Sequence, residues 1–366
     1  MVFGFETGVR GTALSMNAFL VPTAGRLQMI ERKNTPVSTS LTRRLGANEI
    51  PAIGMGCWAI GGPFWFGTQP LGWGEVDDKE SAAAIHKALD LGIKLFDTAN
   101  IYGCGHSERI LGRALKGARE QVLIATKFGN TFDEATRRKI GQDASPEAIR
   151  RACDESLQRL DTTYIDLYQF HLNDYDPIRA IEVRETLEEL VAVGKIRSYG
   201  WSTDFPERAA VFADGKNNVA VQHELSVFFD APEMVQFCEE RDLASINRSP
   251  LAMGLLTGKF DANSRLNNDD VRGLQPVWLR YFEKGQAKPE WLERLAAIRR
   301  LLASDGRTLT QGALAWIWAR SPRAIPIPGF RTVKQVEENI AALRFGSLSQ
   351  AGVQQIAGLL GTDSGE

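Results

Sequence analysis

Cysteine is scarce in this chain: its 366 residues hold four, Cys57, Cys104, Cys153 and Cys238, far apart and without a CxxC pair. Such spacing offers neither a zinc site nor a disulfide framework, so no metal is expected and a reducing, cytoplasmic setting fits best. A charge excess of either sign is also missing, with 43 basic against 45 acidic residues and a formal net charge of -2. The electrostatic footprint of a nucleic-acid or anionic-membrane binder is therefore not there. No run approaches the roughly 18 to 20 consecutive apolar residues that span a bilayer. Between residues 42 and 345 there is no linker rich in Gly, Ser or Pro to divide the chain. What remains is small-molecule chemistry in one large unit; the sequence is silent on oligomeric state.

The first 40 residues read differently from the rest. GTALSMNAFLVPTAG at 11–25 has a faint apolar centre interrupted by Ser15 and Asn17 and preceded by Glu6, a poor secretory signal. With the polar, aperiodic patch ERKNTPVSTSLTRR that follows, it reads as a disordered, untied leader; weak organelle targeting is the alternative. The expected boundaries are a leader over 1–40, the folded unit over 41–345, and a C-terminal helix and tail over 346–366.

From about residue 50, short apolar runs alternate with amphipathic stretches, the pattern of parallel strands joined by helices. Strands are expected at AIGMG (52–56), IKLFD (93–97), VLIATK (122–127), IDLYQFH (165–171), IRSYGW (196–201), VAVQH (219–223), LASIN (243–247) and AIPIP (324–328). Ser145 and Pro146 form a helix-start signal, and Gly92 a helix stop. Unbroken apolar strands are buried on both faces. Eight such units predict an α/β fold, a (β/α)8 TIM barrel with its active site at the C-terminal face of the strands. An open doubly wound sheet is the alternative. The stretch 255–290 breaks the rhythm and is expected to form a long loop over the barrel top.

Ionisable residues at strand ends draw attention, because barrel active sites are built there. Asp97 ends the second strand, Tyr102 lies five positions on, Lys127 ends the third strand and His171 the fourth. Taken singly, each has a plain reading: a helix cap, a packed ring, a surface lysine, a core imidazole. Together they assemble a phenol with an ammonium and an imidazole that can lower its pKa, and a carboxylate that can hold the lysine. That set suits proton donation to a carbonyl. Two glycine motifs are weaker. GMGCWA (54–59) matches a dinucleotide fingerprint but GGPFWFGTQP follows where a helix should begin, and GCGHSE (103–108) lacks the ending of a phosphate loop.

The stretches LFDTANIYGCGHSERILGRAL, VLIATKFG, DLYQFHLND, GKIRSYGWST, VQHELS, SPLAMGLLTGK and IPIPGFRTVKQVEENI resemble, in order and spacing, the successive motifs of the aldo-keto reductases across nearly all of 42–345. The resemblance implies Tyr102 as proton donor, Lys127 and Asp97 as its partners, and His171 as a substrate-orienting group. It implies an NADPH cofactor, with Ser202 and Gln222 near the nicotinamide and Ser249, Pro250, Leu251, Gly254, Leu256 and Lys259 along the pyrophosphate. Gly329 would lie in the cofactor site, Arg331 on the 2′-phosphate, and Gln335 and Asn339 on the adenine. Where relatives often stack an aromatic ring on the nicotinamide, this chain has Arg248, whose planar guanidinium can also stack. His223, Glu224 and Leu225 depart from the pattern as well. Trp58, Trp65 and Trp201, with Phe64, Phe66 and Trp73, suggest an aromatic pocket for a small carbonyl or alcohol substrate, one that would favour apolar or aromatic aldehydes and ketones. Two other readings stand beside this one: a Schiff-base aldolase using Lys127, and an NADPH-binding regulatory subunit with little turnover.

Overall fold

The computed structural model describes Met1, residues 41–274 and residues 278–361. The expected leader over 1–40 lies, apart from Met1, outside the described residues. Eight parallel strands form one sheet: β1 (Met55–Gly56), β2 (Leu95–Asp97), β3 (Leu123–Phe128), β4 (Ile165–Phe170), β5 (Ile196–Ser202), β6 (Asn218–Glu224), β7 (Ala244–Arg248) and β8 (Ala324–Pro326). They neighbour one another in chain order. The two ends then meet. Gly54 N donates to Pro326 O and Gly56 N to Pro328 O, both at 3.0 Å, and Gly56 bridges Gly329 in parallel. The sheet is a closed (β/α)8 barrel, as the alternation of runs predicts, and the open doubly wound alternative falls.

Helices α1 (Asp78–Asp90), α2 (His106–Ala114), α3 (Pro146–Leu160), α4 (Ala180–Ala192), α5 (Pro206–Ala213) and α6 (Pro232–Glu240) follow the first six strands. Two helices, α7 (Pro289–Leu302) and α8 (Leu309–Arg320), lie between β7 and β8; α9 (Val333–Ala341) and α10 (Gln350–Leu360) complete the order. The local signals act as read: Ser145 caps α3 with Pro146 in its first turn, and Gly92 follows α1 at φ +85°. Among the described residues no helix is long and apolar enough to cross a membrane.

Side chains alternate along each strand. Leu95, Ala125, Leu167, Ala220, Ala244, Ile246 and Ile325 point inward and pack as one cluster. Their strand neighbours Phe96, Ile124, Phe128, Tyr168, Phe170 and Trp201 join the core shared with the helices. Burial on both faces explains why these strands read as continuous apolar runs. One element escaped the sequence reading. Thr42–Leu45 and Asn48–Pro51 form an antiparallel hairpin whose Leu45 and Ile50 belong to the interior cluster. Thr42, Arg43 and Arg44 are therefore ordered, not part of an untied terminus; the tight turn at Gly46, φ +57°, makes this possible.

Barrel closure rests on a close backbone approach. A Cβ at Gly56 would stand 2.6 Å from the Ile327 carbonyl oxygen. Gly56→Ala is expected to lower the thermal midpoint followed by circular dichroism, with a stability loss of about 1–3 kcal/mol from overpacking. An unchanged midpoint would show that the β1–β8 seam yields freely.

Candidate active site

Above the apolar interior layer, the next inward positions carry polar groups. Two residues beyond Leu95 is Asp97, two beyond Ala125 is Lys127, two beyond Leu167 is Gln169, and two beyond Ala220 is Gln222. They converge. Lys127 Nζ, fully buried, donates to Asp97 Oδ1 at 2.5 Å, to Thr98 O at 2.8 Å and to the Tyr102 hydroxyl at 3.3 Å. The second carboxylate oxygen of Asp97 accepts from Gln169 Nε2 at 2.9 Å and Gln222 Nε2 at 2.7 Å. Tyr102 is held in the turn after β2, its backbone N donating to Ala99 O at 3.1 Å, and its ring stacks on Trp58 at 5.9 Å between centroids. The His171 ring stands edge-on to Tyr102, also at 5.9 Å.

The electrostatics differ in one respect from expectation. Burial raises the Tyr102 phenol above its ordinary value, and the Lys127 ammonium opposes this without reversing it. Asp97 and Tyr102 hold Lys127 above the ordinary lysine value although burial pulls the other way. Burial first, then the charges of Lys127, Arg248 and Lys139, drive His171 well below the usual imidazole range. The site thus contains a neutral phenol, a firm ammonium and a neutral imidazole. Such a lysine is a poor Schiff-base nucleophile. That chemistry needs a neutral, reachable amine, and Lys127 Nζ is enclosed and charged.

Tyr102, His171 and Asp97 border a cavity of about 670 Å³. Of the residues that the resemblance assigns to cofactor, Ser202, Gln222, Arg248, Ser249, Pro250, Leu251, Gly254, Lys259, Gly329, Arg331, Gln335 and Asn339 border the same cavity. Leu256 does not. It is fully buried in the core, because the turn Ala252–Thr257 faces its side chain inward. The backbone of that turn is unusual, with Ala252, Met253 and Gly254 in succession at φ +48°, +56° and +91°. Conformations of this kind are costly for residues other than glycine and cluster where a ligand meets main chain.

Two of the three tryptophans expected at the substrate are elsewhere. Trp201 precedes the inward Ser202 on β5, so it faces outward, packs on Phe212 of α5 and donates its Nε1 to Leu172 O at 2.9 Å. Trp65 begins a short hairpin, Trp65–Phe66 with Gln69–Pro70, and lies outside the cavity lining, whereas its neighbour Phe64 lies within it. Trp58 and Trp73 do line the cavity. Residues the sequence reading passed over include Gln169, Thr98, Asn130, Lys139, Asn173, Asp204, Arg272, Trp278 and Tyr281. Parity with Lys127 would have found Gln169; Asn130 and Lys139 lie on a short hairpin after β3, and the others come from turns and loops, where period-2 reasoning has no hold.

Arg248 is accounted for by its partners. It is paired with Asp204, and its Nη1 lies 3.5 Å from Glu224, which also stands 3.5 Å from Arg280. At the other end Arg331 donates to the carbonyls of Trp73 and Glu75, while Gln335 Oε1 accepts from Arg331 N at 2.7 Å and closes the capping box of α9 with Thr332.

The aldo/keto reductase family profile matches residues 52–360 of this chain. The chain belongs to the aldo/keto reductase family. A curated relative from Schizosaccharomyces pombe, the aldo-keto reductase yakc, named with NADP(+), is 32% identical over 86% of this chain and 90% of its own length. Among solved structures, the glycerol dehydrogenase AKR11B4 from Gluconobacter oxydans superposes with a TM-score of 0.73 at 30% identity, covering 90% of this chain and 97% of that one. An aldo/keto reductase from Klebsiella pneumoniae, solved in complex with NADP and acetate, gives 0.64 at 26% identity over 88% and 96%.

The outward placement of Trp201 sets an expectation. Trp201→Phe removes the bond to Leu172 O from a buried site and is expected to cost about 1–2 kcal/mol of stability, read as a lower urea midpoint. The Michaelis constants for cofactor and substrate should stay at the wild-type values; a selective rise in the substrate constant would return this ring to the pocket.

Proposed function

We propose that this aldo/keto reductase reduces an aldehyde or ketone to the alcohol, or runs the reverse oxidation, with NADPH as cofactor and Tyr102 as proton donor. One observation carries the reading. The three protons of the Lys127 ammonium have acceptors in Asp97, Thr98 O and the Tyr102 oxygen. The phenol receives one of them, so its own proton is left for a group in the cavity. A carbonyl oxygen placed beside it would take that proton, and Lys127 would stabilise the phenolate left behind. Asp97 is a positioning residue: it holds Lys127, and the two glutamine amides hold Asp97.

The residues present fit an NADPH. Met253 and Gly254 of the positive-φ turn 252–254 border the cavity, and the missing side chain at Gly254 suits close approach of phosphate oxygens. Lys259, close to Arg272 and Arg331, is a cation without a carboxylate at ion-pair distance among the described residues, and Arg331 is bonded only to main-chain carbonyls and so keeps its full charge for a phosphate. His171 Nδ1 is buried without a partner among the described residues, which favours a polar group close by in the bound state. When bound, the cofactor supplies the hydride. The names of the S. pombe relative and the Klebsiella complex agree with NADP for this chain. Neither they nor the glycerol dehydrogenase fix its substrate.

Tyr102→Phe is expected to lower turnover of an aldehyde panel by about 10²–10⁴-fold, the usual span for general acid catalysis, while NADPH binding, followed by its fluorescence, persists. Most activity surviving in this variant would refute the proton-donor assignment. Tight NADPH binding by the wild type with negligible turnover of every carbonyl would favour the regulatory-subunit reading instead.

The pKa directions set the pH dependence. Reduction needs Tyr102 protonated, and its value is raised above 10, so the reductive kcat is expected to be level from about pH 6 to 9 and to fall only in strong alkali. His171, neutral over that range, adds no inflection near 6.5. Oxidation needs the phenolate and should rise with pH throughout. A reductive profile falling through pH 7 would contradict the assignment.

A further inference from the structure

We infer that Lys139 is a specificity-determining residue, and that the carbonyl substrate bears an anionic oxygen group, a carboxylate or a phosphate, away from its reacting end. The inference rests on the reductase reading and deepens it.

Six cationic side chains border the cavity: Lys139, Arg248, Lys259, Arg272, Arg280 and Arg331. Four have partners. Arg248 pairs with Asp204 and shares Glu224 with Arg280, Arg272 is chelated by Asp270 through Nε at 2.8 Å and Nη2 at 2.6 Å, and Arg331 donates to carbonyls of the loop after β1. Lys259 and Lys139 remain, and they stand at different ends. Lys259 feels Arg272 and Arg331, where the cofactor's phosphates would lie. Lys139 acts on His171, beside the reacting centre.

The position of Lys139 is built, not incidental. It lies on the hairpin that follows β3, formed by Asn130–Asp133 and Arg138–Gln142, in register with Phe132. Arg138 ties this hairpin to Gly67 O, and Trp65 pairs with Arg138, so the hairpin is fixed to the loop after β1. Lys139 Nζ stands 5.6 Å from the Phe66 ring centre. The side chain is half-buried, and burial lowers its pKa with no acidic group raising it again. Among the described residues no carboxylate is at ion-pair distance from it. A partly desolvated ammonium without a counter-charge carries a standing cost that an anion entering the cavity would offset.

The surroundings match such a substrate. Asn130 and Asn173 border the cavity, and the Asn173 oxygen accepts from Asp204 N at 2.8 Å, leaving its Nδ2 as a donor. Trp58 and Phe64 supply apolar wall for a carbon chain. Of the acidic groups on the cavity, Asp204 and Glu224 are held by arginines and Asp97 by Lys127, and Glu338 borders it from α9, on the element that carries Gln335 and Asn339.

The test compares 4-oxobutanoate with its methyl ester, and glyceraldehyde 3-phosphate with glyceraldehyde, by NADPH oxidation in the wild type, Lys139→Met and Lys139→Arg. Wild type is expected to prefer the charged member of at least one pair by about tenfold in kcat/KM, carried by KM, the scale of one charge-assisted hydrogen bond. The pair showing the preference identifies carboxylate or phosphate. Lys139→Met should remove most of that preference and Lys139→Arg restore it. Binding of 4-hydroxybutanoate and inorganic phosphate, followed by tryptophan fluorescence, gives a readout that needs no turnover; Lys139→Met should weaken the preferred anion about tenfold. Turnover of uncharged aldehydes without a charge preference, and binding unaffected by Lys139→Met, would overturn the inference and leave the reductase reading standing. Anion binding that depends on Lys139 without turnover of any carbonyl would support the anion site and overturn the reductase reading.

Discussion

A charged amine closed inside the barrel is the constraint on which the site depends. Enclosing the Lys127 ammonium and the Asp97 carboxylate costs several kcal/mol for each ion, and their attraction offsets this only when geometry is good and every remaining hydrogen-bonding position is filled. Here it is filled: two glutamine amides hold the second Asp97 oxygen, and a main-chain carbonyl and a phenol take the other lysine protons. Removing either partner would leave a buried, uncompensated charge, at a cost of about 3–5 kcal/mol. The pair therefore says little about net stability and much about position. It fixes the point at which the Tyr102 oxygen must sit, and only a closed sheet brings β2, β3, β4 and β6 close enough to complete the arrangement.

Most of this architecture was legible in the order of residues, for a reason that also marks its limits. Strands buried on both faces leave unbroken apolar runs, so all eight could be read. A polar residue closing such a run, Asp97 or Lys127, stands out because burial of its type is unusual. Parity carries further than composition: Ser202 inward requires Trp201 outward, and an aromatic residue at a strand end is by itself no sign of a pocket. The hairpin at 42–51 was hidden because its four-residue strands are mostly polar and only Leu45 and Ile50 reach the interior. Loop residues such as Asn173 and Trp278 were hidden because no period governs which way a loop side chain faces.

The departures from the family pattern turn out to be linked. Arg248, where a stacking ring is usual, brings a positive charge to the end of the cavity that holds His171. Glu224, unusual after Gln222, sits two strand positions beyond it and neutralises that charge together with Asp204. Glu224 N also donates to Asp204 Oδ1 at 2.8 Å, and Tyr281 donates its hydroxyl to Glu224 Oε1 at 3.2 Å. Without Glu224, Arg248 would keep only Asp204, and without Arg248, Glu224 would keep only Arg280. Together they form a braced cluster that joins the ends of β5, β6 and β7 to the long loop before α7.

The pKa directions at the centre bear on how Tyr102 would act as the proposed proton donor. Acidifying the phenol is the intuitive device, yet burial makes Tyr102 a weaker acid than it is in water. A weaker acid is no handicap where the acceptor changes during reaction. A ground-state carbonyl oxygen is a feeble base, and an alkoxide is far stronger than a phenolate, so transfer becomes favourable only as hydride arrives and charge builds on oxygen. What the protein must supply is stabilisation that grows with that charge. In the proposed reaction the Lys127 ammonium, held rigid beside the Tyr102 oxygen, would do this without reorganising. A neutral His171 adds a donor where a charged one would compete with Lys127 for the same small volume. The raised phenol and the depressed imidazole are thus two results of one arrangement, in which a single fixed positive charge serves a site otherwise kept neutral until the reaction creates its own negative charge.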